Sequence, residues 1–414
     1  LPEARLLEAD CVVLAGLVEG SWPGDTRLDP WLNRAMRARF GIDPPERRIG
    51  LASHDFCQLF GQREVVLSRA TKAGGVPTVP SRWMQRLAAV LGAPAWGDLV
   101  ARGDRIVALA DRLDETGAPR PIPRPNPAPP LALRPTRLSV TEIETLQRDP
   151  YAVYARHVLK LRALEALDQV PGAAERGTVI HDVLDAYTRE ASEGPVADPV
   201  GRLVSLGREH FAPYWDDPTV RAVWWPRFLR IAAWFAVADD ERRQNFVTAH
   251  AERLGHLEFD TPGGRTFRLT TKADRIDVTA DGRAEILDYK TGNPPSDKQV
   301  NSGLAPQLPL EAAVLKAGGF PEIDADLAVS ALVYAKLGGR DPAGELRTVV
   351  PKDRTLDELV DQTLAGLKTL IATYEDERRG YLSWAMPQYV GGRSNDYAHL
   401  ARVKEWSTGQ GGDE

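Results

Sequence analysis

The chain has 414 residues, 43% hydrophobic and 27% charged, with a formal net charge of −6. That composition excludes collagen-like, disordered and disulfide-scaffold proteins, and the length allows two or three domains with sizeable cores. No apolar run reaches the 18 or so residues of a membrane span, and the acidic balance argues against a broadly basic surface while allowing local basic clusters.

The first residues, Leu-Pro-Glu-Ala-Arg, are not a signal peptide; they lack an initiator Met and run at once into an apolar stretch. The chain therefore reads as a piece of something longer. Residues 11–17 and 64–68 predict buried strands, with helical patterns over 30–39, 54–61 and 81–91. The two cysteines, Cys11 and Cys57, read as small core hydrophobes. No Cys-x-x-Cys pair suggests a zinc site, and a reducing, cytoplasmic setting is expected. Trp22, Trp31 and Trp83 are read as core packing rather than base stacking. Prolines crowd residues 118–135, which excludes helix and favours an extended connector. The expected organisation is an α/β segment over 1–117, a linker over 118–135, a second domain over 136–406, and a small, polar, disordered tail over 407–414.

After the linker the pattern predicts helices over 140–161, 172–191, 200–214 and 220–245. The period then changes from 3.6 to 2, and residues 248–259, 266–279 and 284–290 read as antiparallel strands. A helix over 306–317, strands over 327–336 and 346–350, and a helix over 356–379 complete the domain.

The chemistry concentrates between Lys272 and Lys290. Ala280-Asp281-Gly282 fits a three-residue hairpin loop whose last residue takes positive φ. Thr279 then opposes Arg283, and Asp274 opposes Asp288 on one face, with Cβ atoms about 5 Å apart. Lys290, two residues beyond Asp288, shares that face. Asp277 points the other way, and its loss should cost much less. A loop of two residues would slip the register and undo this geometry. Two carboxylates that close require a neutralising cation; Mg²⁺ suits them, and a neighbouring lysine can orient water or stabilise charge on a phosphate. Taken alone, Asp, Asp-x-Lys is common and fits a surface ion-pair cluster better.

Further motifs weight the hydrolytic reading. Gly177-Thr-Val-Ile-His181 lies in a helical pattern upstream, and Gln307-Leu-Pro-Leu-Glu opens a helix downstream. Gly-x-x-x-His, Lys-Ala-Asp-Arg-Ile-Asp, Leu-Asp-Tyr-Lys-Thr-Gly and Gln-Leu-Pro-Leu-Glu, in that order, resemble the motif series of RecB-type nucleases. That series belongs to the restriction-endonuclease-like PD-(D/E)XK superfamily. The resemblance implies an α/β/α nuclease fold and a metal-dependent deoxyribonuclease, with exonuclease action expected. It also implies Mg²⁺, replaceable by Mn²⁺, held by Asp274, Asp288, the Tyr289 carbonyl and His181. Lys290 would position or activate the attacking water, and Gln307 would orient Lys290 or a phosphate. Glu252 is a weaker supporting candidate, and Arg275 would pair with acids or DNA phosphate.

The first segment carries Val12-Val-Leu-Ala-Gly-Leu-Val-Glu-Gly-Ser-Trp-Pro-Gly, Asp29-Pro-Trp-Leu-Asn-Arg, Glu46-Arg-Arg-Ile-Gly and Val65-Val-Leu-Ser-Arg-Ala. These resemble the last part of a UvrD-like helicase core. With the second domain, they resemble the C-terminal portion of the AddB family of helicase–nuclease subunits, alphaproteobacterial in type. That resemblance implies linear duplex ends and single strands as substrates, an AddA-like helicase–nuclease partner, and a role in double-strand-break repair at the bacterial nucleoid. A silent DNA-binding scaffold and a free-standing Cas4- or RecB-like nuclease are the alternatives. Three departures stand out. The chain lacks the cysteines of an iron–sulfur cluster, so none is expected, and Trp384, Met386 and Tyr389 could supply the latch by packing. Thr271 stands where glycine is frequent. No phosphate-binding Gly-x-x-x-x-Gly-Lys loop is present, and Arg69 reads as structural.

Overall fold

The computed structural model describes residues 4–25, 30–115, 117, 122–164, 167, 170–324, 327–390 and 396–407. The chain divides into two compact units, Leu1–Arg120 and Pro121–Glu414.

In the first unit, β1 (Val12–Leu14) is followed by α1 (Arg34–Arg39), α2 (Arg47–Phe60) and β2 (Val65–Leu67). β1 and β2 pair in parallel, Val12 opposite Val65, so the connection must cross over and α2 supplies the crossover. A small hairpin of β3 (Lys72–Ala73) and β4 (Val76–Pro77) precedes the helical run α3 (Arg82–Asp114). Gly92, at φ +75°, breaks that run. The sequence pattern predicts no helix beyond residue 91, so the second half of this run is an addition.

Leu14, Leu17, Phe56 and Leu59 form a small core, and Trp22 and Trp83 pack on it with ring centroids 5.9 Å apart. Trp31 does not share this fate, being 86% exposed. Both cysteines are exposed as well, contrary to the expectation of core hydrophobes. Cys11 precedes the short strand, and Cys57 follows the inward-facing Phe56 on α2, so neither reaches the core.

The second unit opens with a stretch, residues 122–130, in no regular helix or strand. It is hydrogen-bonded to the far end of the unit: Tyr381 N–H donates to the Pro127 carbonyl and Ser383 N–H to that of Pro125. The buried Arg134 guanidinium donates to the carbonyls of Pro129, Tyr374, Asp376 and Glu377. Of the expected tail, Ser407 ends a short helix and 408–414 lie outside the described residues.

Next come β5 (Arg137–Ser139), α4 (Val140–Arg148), α5 (Pro150–Val153) and a π-turn over Tyr154–Val158. The single helix expected over 140–161 is thus broken. Asp149 sits at φ −142°, ψ 78°, because the proline after it crowds the α region. α6 (Ala173–Glu193), α7 (Pro199–Phe211) and α8 (Trp225–Arg243) follow, then β6 (Phe246–Asp260), β7 (Thr266–Thr279) and β8 (Arg283–Lys290). The remainder comprises α9 (Asp297–Asn301), α10 (Gln307–Lys316), β9 (Ala328–Lys336), β10 (Glu345–Thr348), α11 (Leu356–Thr373), α12 (Pro387–Val390) and α13 (Val403–Ser407).

The sheet order is β10-β9-β8-β7-β5, with β6 also paired to β7. β8–β9 and β5–β7 are parallel, the other pairs antiparallel. On one face, Ile276 and Ile286 join Ile143 of α4, Leu308 and Leu310 of α10, and Leu359 and Leu367 of α11 in one core. On the other face, Tyr289 and Ala335 join Val183 of α6, Leu203 of α7 and Phe228 of α8. The result is the α/β/α sandwich expected from the motifs. Gly207 lets α7 approach α8, since a Cβ there would lie 2.2 Å from the Phe228 ring.

Candidate active site

The β7–β8 hairpin turns through Gly282 at φ +73°, and its ladder runs from Val278↔Ala284 to Arg275↔Leu287, the register that the three-residue loop dictates. There the ladder stops. Asp274 does not pair with the strand but turns its carboxylate onto it, Oδ2 accepting the Tyr289 N–H at 2.8 Å. On the other side of β7 the ladder to β6 steps from Ala251↔Arg275 to Arg253↔Ala273. The residue passed over, Glu252, holds φ +46°. Side-chain alternation changes phase at this point: Phe267, Leu269 and Ala273 face the same core as Ile276. Asp274 therefore stands at an irregularity on both its edges, where the sheet opens.

Asp288, 2% exposed, faces the α10 side. Lys290 Nζ lies 2.8 and 2.7 Å from its two oxygens and donates to Gln307 Oε1 at 3.1 Å. Gln307, the first residue of α10, donates from Nε2 to Asp288 Oδ1 at 2.6 Å and to Glu311 Oε1 at 3.2 Å. Glu311 lies one turn along the same helix face and also accepts from Thr271 Oγ1 at 3.2 Å. From the opposite layer, α6 presents His181, whose Nδ1 is 3.4 Å from Asp274 Oδ1 and whose ring stands edge-on to Tyr289.

The site holds more acid than its cations balance. Burial, only partly offset by Lys290 and reinforced by Asp274, pushes the Asp288 carboxyl up to about 6. Burial, then Asp288 and Asp274, push Glu311 well above the usual carboxylate range. For Lys290 burial acts downward, but the attraction of Asp288 outweighs it and the ammonium is held more firmly than usual. His181 is raised too: burial opposes its charge, while Asp274 and then Asp288 favour it.

The fold thus brings together His181, Asp274, Asp288, Lys290 and Gln307. Tyr289 contributes backbone here, while its ring is buried in the other core. Glu252 is engaged elsewhere, 2.7 Å from Lys272 Nζ and 3.7 Å from Arg189. Arg275 is 1% exposed and donates to Asp239 and Asp277 at 2.6 Å each, which removes it from contact with any DNA phosphate. Asp277, expected to matter little, is fully buried and also accepts from Arg242 at 2.7 Å. Glu311 was missed by sequence reasoning, although its spacing of four from Gln307 was the available signal.

The donor set suits a hard cation. Glu311 Oε2 is buried without a hydrogen-bond partner, and Asp288 Oδ2 has none of hydrogen-bonding geometry despite the nearby ammonium. Among the described residues, no three His, Cys, Asp or Glu side chains form a group that could hold a metal. An ion held by Asp274 and Asp288 would then be completed by backbone oxygen and water, the habit of Mg²⁺. A cleft of about 700 Å³ reaches Lys290 and Gln307, with Arg148, Arg156, Tyr389 and Tyr397 along its walls. No helix among the described residues is long and apolar enough to cross a membrane.

Comparison with known proteins gives matching results. The profile of the PD-(D/E)XK nuclease superfamily matches residues 137–381, more than half of the chain. An uncharacterized protein of Rickettsia conorii is 28% identical over 431 residues, covering 97% of this chain and 48% of the relative. The chain thus spans about half the length of that relative. The B component of the ATP-dependent helicase/deoxyribonuclease of Clostridium perfringens is 24% identical over 195 residues, 41% of this chain and 17% of that one. The protein of the same name from Streptococcus pyogenes is 24% identical over 232 residues, 56% of this chain and 21% of that one.

Proposed function

Since the chain belongs to the PD-(D/E)XK nuclease superfamily, we propose that it hydrolyses DNA phosphodiester bonds with a divalent metal ion at Asp274 and Asp288. The observation that carries this reading is the placement of Lys290 Nζ, between the Asp288 carboxylate and Gln307 Oε1, at the point where the sheet opens beside Asp274. Asp274, Asp288 and the Tyr289 carbonyl would hold Mg²⁺, with Mn²⁺ as a substitute, and His181, the expected further ligand, would orient Asp274 from beside it. When bound, the ion supplies Lewis-acid stabilisation of phosphate charge and a more acidic water. Lys290, its ammonium held against Asp288 and Gln307, would position or activate the attacking water or stabilise charge on the phosphate. Gln307 fixes the direction of that ammonium. The cleft would receive the strand, its arginines facing phosphate and its tyrosines the bases.

The similarity to the B components of helicase/deoxyribonucleases supports a place in a double-strand-break repair complex, acting on linear ends and single strands as an exonuclease. An AddA-like motor protein would be the partner, and the bacterial cytoplasm the setting. The first unit would be the end of a helicase-like fold without motor activity of its own.

The test is cleavage of end-labelled duplex and single-stranded DNA by the purified chain with Mg²⁺, beside Lys290→Ala and an EDTA control. Cutting that needs the metal and falls about 10²–10³-fold or more in Lys290→Ala, with melting little changed, is the expected result. Wild-type rates in Lys290→Ala would remove this site from the chemistry. A folded chain that binds Mg²⁺ yet never cuts, even with the helicase partner added, would leave a DNA-binding scaffold.

A further inference from the structure

Glu311 is 1% exposed, yet it lies in the middle of a charged site and none of the roles assigned so far uses it. A carboxyl placed there by an apolar helix needs a reason, because burying it costs free energy unless it is bound. Its neighbours on α10, Leu308, Leu310 and Leu315, serve the core. One oxygen of Glu311 gathers two donors, Thr271 Oγ1 from β7 and Gln307 Nε2 from its own helix, both at 3.2 Å.

Those contacts bear on Gln307. Its amide has two ends that differ chemically: the oxygen can only accept, and the nitrogen can only donate. The oxygen meets the Lys290 ammonium at 3.1 Å, while the nitrogen meets Asp288 Oδ1 at 2.6 Å and Glu311 Oε1 at 3.2 Å. A flipped amide would turn its nitrogen toward the ammonium and its oxygen toward two carboxyls, opposing every contact. Asp288 and Lys290 favour this orientation too, and Glu311, anchored by Thr271, adds a second acceptor for the amide nitrogen.

We propose that Glu311 is the positioning residue of the site, fixing the side-chain amide of Gln307 and through it the Lys290 ammonium. Thr271 anchors Glu311 from the sheet. This gives a function to the hydroxyl at a position where the motif series is often glycine. Glutamine has nearly the shape of glutamate and keeps an oxygen that can accept from Thr271 and Gln307, so it is the conservative replacement. The inference rests on the nuclease reading, so its test needs a measure that does not depend on cutting.

The experiment compares wild type, Glu311→Gln, Glu311→Leu and Thr271→Val in two ways. The first is steady-state cleavage of single-stranded DNA with Mg²⁺. The second follows the Gln307 side-chain NH₂ resonances in glutamine-¹⁵N-labelled protein, assigned by their loss in Gln307→Ala. Glu311→Leu should lower kcat about 10–100-fold, the usual effect of losing a partner that orients active-site groups, with KM little changed. Its Gln307 NH₂ pair should move towards the shifts and exchange rate of a free amide. Glu311→Gln should recover most of the lost rate and the native resonances, and Thr271→Val should fall between. If the Gln307 resonances are unchanged in Glu311→Leu, the proposal is overturned, whether or not the protein cuts. It is also overturned if Glu311→Gln is as impaired as Glu311→Leu. Should Glu311→Leu fail to fold, Thr271→Val decides by the same resonances. Changed resonances in a protein that never cuts would uphold the positioning role and refute the nuclease reading alone.

Discussion

The β7–β8 hairpin carries a charged cluster on each face, and the two are built on different accounts. Behind it, Asp239, Asp277 and Glu285 meet Arg242, Arg243 and Arg275, three acids for three arginines, at 2.6–2.7 Å. In front, among the described residues, Asp274, Asp288 and Glu311 face one ammonium, that of Lys290, and the titratable His181. The rear network is balanced in charge and ties α8 to the sheet, although Arg242 Nε, Arg243 Nη2 and Arg275 Nη2 are buried without hydrogen-bond partners; the guanidinium of Arg275 is held even more firmly than usual despite its burial. The front cluster keeps buried carboxylate oxygens without partners and carboxyls pushed upward. A balanced buried network is a fastening, whereas one with surplus acid is a receptacle for a cation.

The difference can be broken experimentally. The largest effect is expected from the fastening: Asp277→Ala leaves Arg242 and Arg275 short of a partner and should cost about 3–5 kcal/mol of stability in urea unfolding. A loss under about 1 kcal/mol, the scale of a surface pair, would mean the rear network is not fastening anything.

A smaller effect of opposite sign belongs to the receptacle. Asp288 ionises at 3.8 as an ordinary side chain and near 6 when folded. Its ionisation therefore costs stability that is absent below about pH 4, grows through that window and is fully present above pH 6. A bound cation should remove that cost. Ca²⁺ at one fixed concentration, about 100 times its Kd at pH 8, should stabilise the protein by about 2.7 kcal/mol at pH 8 and clearly less at pH 5, by thermal melting. Equal shifts at both pH values would show that the ion binds elsewhere.

The smallest effect sharpens the contrast. Without metal at pH 8, Asp288→Asn should melt at or above wild type, by up to about 1 kcal/mol, while cutting is lost. Melting well below wild type would make Asp288 a fastening residue like Asp277.

Local chemistry carried the front face in the sequence. Gly282 set the hairpin loop and the loop set the register as far as Arg275↔Leu287; the expected pairing of Asp274 with Asp288 does not form, and Asp274 reaches the same end of the hairpin by accepting the Tyr289 N–H. Gln307 was found through its place in a motif series. What stayed hidden depended on distant partners. Arg275 and Asp277 look like solvated charges until α8, over thirty residues earlier, supplies Asp239 and Arg242. Glu311 looks like the polar side of a helix until Thr271 and the sheet bury it. The break at Asp149 was legible in the following proline. The phase change at Asp274 was not, because alternation along a single strand carries no record of the distorted backbone across from it at Glu252.

The clasp between residues 125–134 and 374–383 has a consequence for topology. Pro125, Pro127 and Arg134 on one side meet Tyr374, Tyr381 and Ser383 on the other, and the chain beyond Ser383 stays in the unit, with Ala401 and Val403 packed against Tyr151 and Ala155. A contact that joins two stretches about 250 residues apart closes a long loop, and each stretch depends on the other for its hydrogen bonds. The working module is then wider than its motif-bearing core. A fragment begun at residue 136 would keep every acid and lysine of the site and lose the Arg134 knot that holds these two stretches together.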